Sequence, residues 1–203
     1  MSDHFNAGPD DDLELVEQIR GGRLELFHEL VSRHESAIFR GALAILGNDA
    51  DAEDAMQETF LRAFRRIDQF RGEARFRTWL IQIAVNVART KLREARRERC
   101  ESLDSPDLSG RTTSAWEVAE HAASPEEEYS WKELRDLMTR VLDGMHPTYR
   151  SVLYLRDVEN LSTGSTAVAL GLTPESVRTR LRRARVHLRD RLATIMATGW
   201  NGR

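Results

Sequence analysis

Hydrophobic residues recur along this chain at intervals of three and four, which is the spacing that places side chains on one face of an α-helix. The first half of the chain carries four such stripes: Leu13, Val16 and Ile19; Phe27, Val31, His34 and Ile38; Met56, Phe60, Ala63 and Ile67; and Leu80, Ile83 and Val87. Gly21 and Gly22 are expected to end the first helix, and Gly47 to end a second helix that runs unbroken to about Leu46. Asp49 can cap the third helix. No segment alternates convincingly between polar and apolar residues, so the pattern predicts an all-α fold.

The periodicity is lost between residues 99 and 128, where Ser, Pro, Asp and Glu are common. Such a composition is typical of flexible linkers. Helical spacing resumes near Tyr129, and Pro147 suits the first turn of a further helix. The pattern therefore predicts two small helical domains, residues 10–98 and residues 129–195, joined by a flexible acidic linker over residues 99–128.

The second domain carries the local pattern of a helix-turn-helix. Ser162 can cap a short helix that ends at Leu170, Gly171 permits the tight turn, and Thr173 can cap the next helix, with Pro174 in its first turn. Such a motif needs a small residue, a flexible residue and a branched residue at fixed spacing. Ala167, Gly171 and Val177 meet these needs in that order. The second helix carries arginines beside its apolar stripe: Arg178, Arg180, Arg182, Arg183, Arg185 and Arg189. A solvated surface helix would look similar, but few carboxylates lie within reach on this helix, so binding to a DNA groove is favoured.

Charge divides the chain into alternating blocks, although the formal net charge is only −3. Residues 1–59 hold four Lys or Arg against 14 Asp or Glu, whereas residues 60–99 hold 12 against four. Residues 101–136 hold three against ten, and residues 175–191 hold seven against two. Two basic stretches separated by an acidic one indicate contacts with a polyanion such as nucleic acid.

Two more surfaces of the first domain carry candidate chemistry. The helix that begins near residue 76 has polar side chains opposite its apolar stripe, namely Gln82, Asn86, Arg89 and Arg93. Their amide and guanidinium groups can bind base edges and phosphates. Phe70 lies in a basic, glycine-containing loop, where an aromatic ring suits stacking on an unpaired base, although a core position fits it equally well. The helix after Asp49 presents a mostly acidic face, made by Asp51, Glu53, Asp54, Gln57 and Glu58. Acids in a first turn favour the helix dipole, but so many also indicate a basic protein partner.

Other features exclude several classes of protein. A single cysteine, Cys100, rules out an internal disulfide and a cysteine-rich zinc site. The six histidines show no metal-ligand spacing, and no glycine-rich phosphate loop or nucleophile motif occurs. The sequence contains neither a run of about 18 apolar residues nor a secretory signal. We therefore expect a cytoplasmic protein that is not an enzyme, uses no metal or cofactor, and does not insert into a membrane.

Three stretches of the sequence together resemble the extracytoplasmic-function (ECF) sigma factors, the smallest type in the sigma-70 family of bacterial transcription initiation factors. DAEDAMQETFLRAFRRIDQF resembles the helix that binds the polymerase clamp, and FRGEARFRTWLIQIAVNVARTKLR resembles the segment that melts and reads the promoter −10 element. MHPTYRSVLYLRDVENLS, followed by ALGLTPESVRTRLRRARVHLRDRL, resembles the −35-reading domain. The stretches stand in the family's order, with the linker where the family has one.

The resemblance implies partners and residue roles. The partners are core RNA polymerase, promoter DNA and, as in many relatives, an anti-sigma factor. The polymerase clamp would be bound by Asp51, Glu53, Asp54, Gln57 and Glu58. The −10 element would be contacted by Arg62, Phe70, Asn86 and Arg89. The −35 duplex would be contacted by Arg156, Arg178, Thr179, Arg180, Arg182 and Arg183.

One part of the helix-turn-helix departs from the family's pattern. Many relatives have one or two acidic residues just after the Ser that opens its first helix, whereas Thr163, Gly164, Ser165 and Thr166 follow Ser162 in this chain. Gly164 weakens that helix by up to about 1 kcal/mol relative to Ala. We therefore expect the helix to depend on packing or DNA for its order.

Two other functions are compatible with parts of the sequence. A helix-turn-helix repressor or activator that binds duplex DNA as a dimer, without polymerase, accounts for the C-terminal domain. It leaves the acidic helix and the loop of Phe70 unexplained. An enzyme with a DNA-binding tail is the second alternative, and no catalytic constellation supports it.

Overall fold

Helices make up all the regular structure in the part of the chain that the computed structural model describes, which is residues 9–101, 141–142 and 144–197. The α-helices are α1 (Pro9–Arg20), α2 (Leu26–Ser32), α3 (Glu35–Leu46), α4 (Asp49–Arg65), α5 (Phe76–Glu101), α6 (Pro147–Leu153), α7 (Thr163–Leu170) and α8 (Pro174–Ala197). A 3₁₀ turn spans Ile67–Gln69, and a π-helical turn spans Tyr154–Val158. The prediction of an all-α fold is confirmed.

The predicted linker falls largely outside the described residues. Its first three positions, residues 99–101, belong to α5, which runs further than the sequence pattern indicated. The remainder of the linker and residues 129–140 lie outside the described part of the chain.

The predicted single helix from Phe27 to Leu46 is wrong, because the structure divides it into α2 and α3. The chain breaks at His34, whose backbone has φ −115° and ψ −5°. The imidazole Nε2 of His34 lies 2.9 Å from a carboxylate oxygen of Asp12 on α1, and both side chains are buried. The break therefore coincides with a tertiary contact that local periodicity does not reveal.

Helices α3, α4 and α5 pack closely because small residues line their contacts. Ala42 and Leu43 of α3 meet Ala52 and Ala55 of α4 and Val87 of α5 in one buried cluster. The methyl side chains of the alanines let the helix backbones approach closely. Because this side of α4 is buried against α3 and α5, the polar residues of α4 lie on its opposite, outer side.

Helix ends in this region follow the predicted capping chemistry with one change. Gly47 ends α3 in the left-handed conformation, with φ 82°. The side chain of Asn48, rather than the predicted Asp49, caps α4 by accepting a hydrogen bond from the backbone N–H of Asp51 over 2.9 Å. An Asn with extended backbone geometry is a favoured N-cap, and here the cap lies one residue earlier in the sequence than predicted.

The helix-turn-helix forms as predicted from its turn residues. Ser162 caps α7 by accepting from the N–H of Ser165 over 3.0 Å, and Thr173 caps α8 by accepting from the N–H of Ser176 over 3.1 Å. Gly171 between them has φ 59°. The apolar stripe of α8 faces inward, with Val177, Leu181 and Ala184 buried.

The C-terminal helices pack directly against the N-terminal ones. Tyr154 is 1% exposed, and its hydroxyl donates to the backbone carbonyl of Ala37 on α3, with an oxygen–oxygen distance of 2.7 Å. Buried residues from both halves of the chain form one continuous apolar core. The structure is therefore a closed arrangement of two helical units.

Candidate protein and nucleic-acid interface

Helix α4 carries the predicted acidic face, and its small residues explain why that face points outward. Ala52, Ala55, Thr59 and Ala63 are buried along the inner side of the helix. On the opposite side, Glu58 is half-buried. The other four residues of the predicted face are exposed: Asp51, Glu53, Asp54 and Gln57. The sequence-predicted set is therefore brought together on one surface.

Three of these acids have nearby partners. Asp51 accepts a hydrogen bond from the side chain of Asn48 over 2.6 Å, and Asp54 lies 3.4 Å from the ammonium group of Lys91 on α5. Glu58 accepts a hydrogen bond from Arg62 over 2.6 Å, and this bond holds the pKa of the Glu58 carboxyl below its usual value. The face is therefore acidic at its N-terminal end and mixed in charge toward Arg62.

An open groove of about 410 Å³ lies between α4 and α5. Apolar side chains of Leu61 and Val87 contribute to its lining, and Leu61 is 53% exposed. The rest of the lining is polar or charged: Asp54, Gln57, Glu58, Arg62, Thr90, Lys91 and Glu94. The lining holds three carboxylates against two cations beside its apolar side chains, so the groove suits a partner that presents basic and apolar side chains.

The polar face of α5 is only partly accessible. Asn86 is exposed, so its amide can reach a base edge. Arg89 is half-buried, and its Nη1 donates to the backbone carbonyl of Ala169 on α7 over 2.8 Å. Of the two predicted −10 contacts on this helix, one is available in this conformation and the other is engaged by the C-terminal unit.

Phe70 lies in the core. Its side chain is 4% exposed, with its ring centroid 5.3 Å from that of Phe76 and 5.4 Å from that of Trp79. The core position that the sequence allowed is therefore the one observed. Stacking of Phe70 on a base would require the ring to leave this cluster.

The six arginines of α8 that the sequence analysis singled out fall into two groups. Arg178 pairs with Glu175 over 3.0 Å, Arg185 with Asp157 over 2.6 Å and Arg189 with Asp190 over 2.8 Å. The helix itself supplies few carboxylates, as expected, namely Glu175 and Asp190, and the third partner, Asp157, comes from the π-helical turn. The hydrogen bonds with Asp157 raise the pKa of Arg185.

The second group of arginines has no acidic partner in the part of the chain that the structure describes. Arg182 and Arg183 are exposed and Arg180 is half-buried, and within the described residues no carboxylate pairs with any of them. Thr179 and Arg156 are half-buried, and Nε of Arg156 is buried without a hydrogen-bond partner among the described residues. The exposed guanidinium groups of Arg182 and Arg183 are therefore available to an anionic ligand such as a DNA backbone.

Comparison with known proteins places both halves of the chain in one family. The family model for sigma-70 region 2 matches residues 30–98, and the model for sigma-70 region 4 matches residues 135–188. The ECF RNA polymerase sigma-E factor of Haemophilus influenzae is 31% identical over 189 residues, which cover 91% of this chain and 97% of that protein. The chain belongs to the ECF sigma factors. The sigma-E factor of Escherichia coli K12 is 30% identical, over 86% of this chain and 90% of that protein.

Two solved structures share the fold of this sigma factor. The sigma factor RpoE from Bartonella quintana, solved with the anti-sigma factor NepR, matches 82% of this chain and 96% of that chain, with a TM-score of 0.61 and 21% identity. CnrH in complex with the cytosolic domain of CnrY matches 90% of this chain and 97% of that chain, with a TM-score of 0.54 and 23% identity.

As a sigma factor, the protein acts in transcription initiation with core RNA polymerase and promoter DNA. Among the described residues, no helix combines the length and the apolar character needed to cross a lipid bilayer. Nor does any group of three or more His, Cys, Asp and Glu side chains in that part of the chain have an arrangement that could hold a metal ion.

Sequence reasoning missed the polar residues that join the two halves of this sigma factor. These residues are Arg77, Arg150, Tyr154 and Glu159. Arg150 is 3% exposed, although arginine is rarely buried without partners. Only its place among apolar neighbours in RSVLYL could have indicated burial. The pairing of Arg77 with Glu159 spans 82 positions and leaves no local signal.

Proposed function

We propose that this sigma factor binds the clamp of core RNA polymerase through the acidic face and groove of α4. The observation that carries the proposal is the combination, in one chain, of that acidic face with an unpaired arginine surface on a helix-turn-helix. A dimeric repressor needs only the second feature. Charge complementarity with a basic helix would set the encounter and register of the polymerase contact.

Promoter recognition is divided between two units, residues 10–98 and residues 129–195. In the first unit, the −10 element is contacted by Arg62, Phe70, Asn86 and Arg89. The amide of Asn86 reads a base, and the arginines bind the DNA backbone. In the second unit, α8 enters the duplex groove of the −35 element. Its contacts are Arg156, Arg178, Thr179, Arg180, Arg182 and Arg183. Each unit binds weakly, and the pair selects promoters that carry both elements at one spacing.

The protein acts in the cytoplasm, where promoter DNA and polymerase are found, and it catalyses no reaction of its own. Its activity is controlled by an anti-sigma factor. Support for this regulation comes from the RpoE protein of Bartonella quintana, which shares the fold and was solved with an anti-sigma factor.

Transcription reconstituted from purified parts tests the proposal. Core polymerase of the host is combined with the full chain and sheared genomic DNA, and the transcripts are sequenced. We expect transcripts from a defined subset of sites only when the chain is present. A duplex-binding regulator would instead bind DNA without core polymerase and would start no transcripts, and that result would refute the proposal.

A triple variant tests the polymerase contact. Asp51→Asn, Glu53→Gln and Asp54→Asn remove three charges and leave the Asn48 cap in place, since that cap bonds the backbone N–H at position 51. We expect capture by immobilised core polymerase to be lost while circular dichroism shows unchanged helix content. Unaltered capture would mean that the face is only a solvated helix surface.

A further inference from the structure

Arg20, the last residue of α1, binds the backbone of the segment that leads into the loop after α4. Its Nε and Nη2 both donate to the carbonyl oxygen of Ile67, over 3.3 and 2.8 Å, and Nη2 also donates to the carbonyl oxygen of Phe70. Its Nη1 donates to a carboxylate oxygen of Glu17 over 2.8 Å. All three nitrogens of the guanidinium group are therefore engaged within the N-terminal unit.

The two carbonyls lie where the buried part of this segment ends. The side chains of Ile67 and Phe70 are buried, whereas residues 71–75 are all exposed and form no helix. The carbonyl of Phe70 therefore lies at the boundary between the core and the exposed loop 71–75. Because a planar guanidinium presents its donors in a fixed geometry, a single arginine fixes both carbonyls relative to α1.

A second residue of α1 lies beside the turn of this loop. Gly72 has φ 72°, in the left-handed region that favours glycine, and a Cβ atom placed there would lie 3.4 Å from Cδ2 of Leu13. Leu13 and Arg20 are about two helical turns apart, so they project from the same side of α1. Helix α1 therefore runs beside the loop, close to both its start and its turn.

The loop 71–75 belongs to the surface that the proposed function places at the −10 element. It follows Phe70 directly and carries two exposed arginines, Arg71 and Arg75. A loop that is already fixed in its binding conformation loses less conformational entropy when it binds, and it accepts fewer alternative ligands. The match to sigma-70 region 2 begins at residue 30, so α1 precedes the matched part of the chain.

We propose that Arg20 is a positioning residue for promoter recognition, which fixes the loop 71–75 so that the loop discriminates between bases of the −10 element. The inference rests on the proposed function and gives α1 a part in it. Arg20 acts through the backbone of Phe70 and makes no DNA contact of its own, because its donors are bound within the protein. Loss of these hydrogen bonds should therefore change the choice of base and leave the number of phosphate contacts unaltered.

Three variants separate the geometry of Arg20 from its charge. Arg20→Lys keeps the positive charge but has one ammonium group on a flexible stem, which cannot hold two carbonyls in a fixed geometry. Arg20→Gln removes both the charge and the guanidinium. Arg23→Gln is the matched control, because Arg23 is an exposed neighbour whose side chain bonds that of Gln18 over 3.0 Å.

Transcription from promoter libraries by the assembled holoenzyme measures base discrimination. The strongest promoter found in the reconstituted transcription is varied one base at a time, in the −10 element for one library and in the −35 element for a second. We expect both Arg20 variants to lower the preference for the best −10 base by about fivefold or more at one or more positions, which is the size of a weak single-base penalty. The −35 preferences, and both sets of preferences in Arg23→Gln, should equal those of the parent protein.

Reduced stability alone cannot produce this pattern. A variant with a smaller folded fraction lowers the transcripts of every promoter by the same factor, so the ratios between bases stay constant. Unchanged −10 ratios in the Arg20 variants, or an equal loss of discrimination at both elements, would overturn the proposal.

The salt dependence of promoter binding tests for a direct contact between Arg20 and DNA. We expect the slope of log affinity against log salt concentration to be the same for both Arg20 variants and the parent holoenzyme. A slope lowered by about 0.9 in Arg20→Gln but not in Arg20→Lys would mean that Arg20 binds a phosphate, and this result would overturn the positioning role.

Limited proteolysis of the free full-length protein tests the effect of Arg20 on the loop without DNA or polymerase. Trypsin cleaves after Arg71 and Arg75, and cleavage requires local opening of the chain around the target bond. We expect mass spectrometry to show cleavage at these two sites about fivefold or more faster in both Arg20 variants than in Arg23→Gln. Equal rates would show that Arg20 does not restrain the loop, and the proposal would fail.

Failure of the Arg20 role and failure of the sigma function give different results. If the parent holoenzyme transcribes selectively and the Arg20 variants keep its −10 preferences, only the role of Arg20 is refuted. If the parent holoenzyme starts no transcripts from any promoter, the proposed function is refuted, and the role of Arg20 in base discrimination falls with it.

Discussion

Arg62 donates a hydrogen bond from Nε to Oε1 of Glu58 over 2.6 Å, one helical turn apart on α4. Glu58 belongs to the proposed polymerase-binding face, and Arg62 belongs to the proposed contacts with the −10 element. The two functional surfaces therefore meet at this pair, and a change to one residue alters the other.

Glu58→Gln should affect the two surfaces in opposite ways. Loss of the carboxylate weakens binding to core polymerase, whereas Arg62 loses its ion pair and becomes available to DNA phosphates. We expect a lower affinity for core polymerase and a steeper salt dependence of promoter binding by the assembled holoenzyme. Fluorescence anisotropy with labelled protein gives the first quantity, and gel shifts over a salt series give the second.

Glu14→Gln is the matched control for that change. Glu14 is an exposed acid on α1 whose side chain accepts a hydrogen bond from Gln18. It should leave both quantities unchanged. If Glu58→Gln behaves like this control, the pair is a helix-surface contact with no part in either interface.

The helix-turn-helix could be predicted in detail because its determinants are local. Ser162, Gly171 and Thr173 each act on residues within one or two turns, so their roles follow from spacing alone. The break at His34 could not be predicted, since it involves Asp12, 22 residues away. The burial of Phe70 depends on neighbouring rings that a loop sequence does not position.

The candidate site likewise has a part that local sequence predicts and a part that it does not. Helical spacing correctly placed the acids of α4 on one exposed face. It could not show that Arg89 is bound by the backbone of α7 or that Arg185 is bound by Asp157. Both interactions join elements that are distant in sequence and depend on how the helices pack.

The two glycines of the helix-turn-helix should respond in opposite ways to alanine. A Cβ at Gly164 would lie 3.8 Å from the Ser162 hydroxyl oxygen, an ordinary contact, so Gly164→Ala should raise the free energy of unfolding by up to about 1 kcal/mol. Gly171→Ala should lower it by at least about 1–2 kcal/mol, because the left-handed backbone is strained with a side chain and a Cβ there would overlap Nη2 of Arg89. Urea denaturation followed by circular dichroism measures both. A loss of stability in Gly164→Ala would show that the glycine is needed at that position.

Phe70 should be tested with leucine rather than alanine. Phe70→Ala would leave a cavity and cost about 3–5 kcal/mol of stability, which would obscure any effect on DNA. Phe70→Leu preserves most of the apolar volume but cannot stack on a base. We expect it to spare the closed complex in a gel shift and to lower permanganate reactivity of promoter thymines, because base stacking is worth about 1–3 kcal/mol and acts only after strand opening.

Asn86→Ala is the companion variant for Phe70→Leu, since Asn86 is exposed and its side chain can be removed without opening a cavity. It should give the same pattern, and an artificially pre-opened promoter should rescue both variants. If Phe70→Leu melts a duplex promoter as well as the parent protein, the ring of Phe70 has only a core role.

The unpaired arginines of α8 should contribute most of its phosphate contacts. Arg182 and Arg183 are exposed and pair with no carboxylate among the described residues, whereas Arg185 is held by two hydrogen bonds to Asp157. Removing one arginine–phosphate pair lowers the slope of log affinity against log salt concentration by about 0.9 on B-form DNA. Arg182→Ala and Arg183→Ala should each lower the slope by about that amount for the holoenzyme on a −35 duplex.

Arg185→Ala is the control of equal charge for those two variants. Because Asp157 already neutralises this guanidinium, its removal should change the slope much less, although net charge falls by the same amount in all three proteins. Equal slopes for the three variants would mean that DNA affinity depends only on the overall charge of α8. A lower slope for Arg182→Ala and Arg183→Ala alone would instead place phosphates beside those two side chains and orient α8 in the groove.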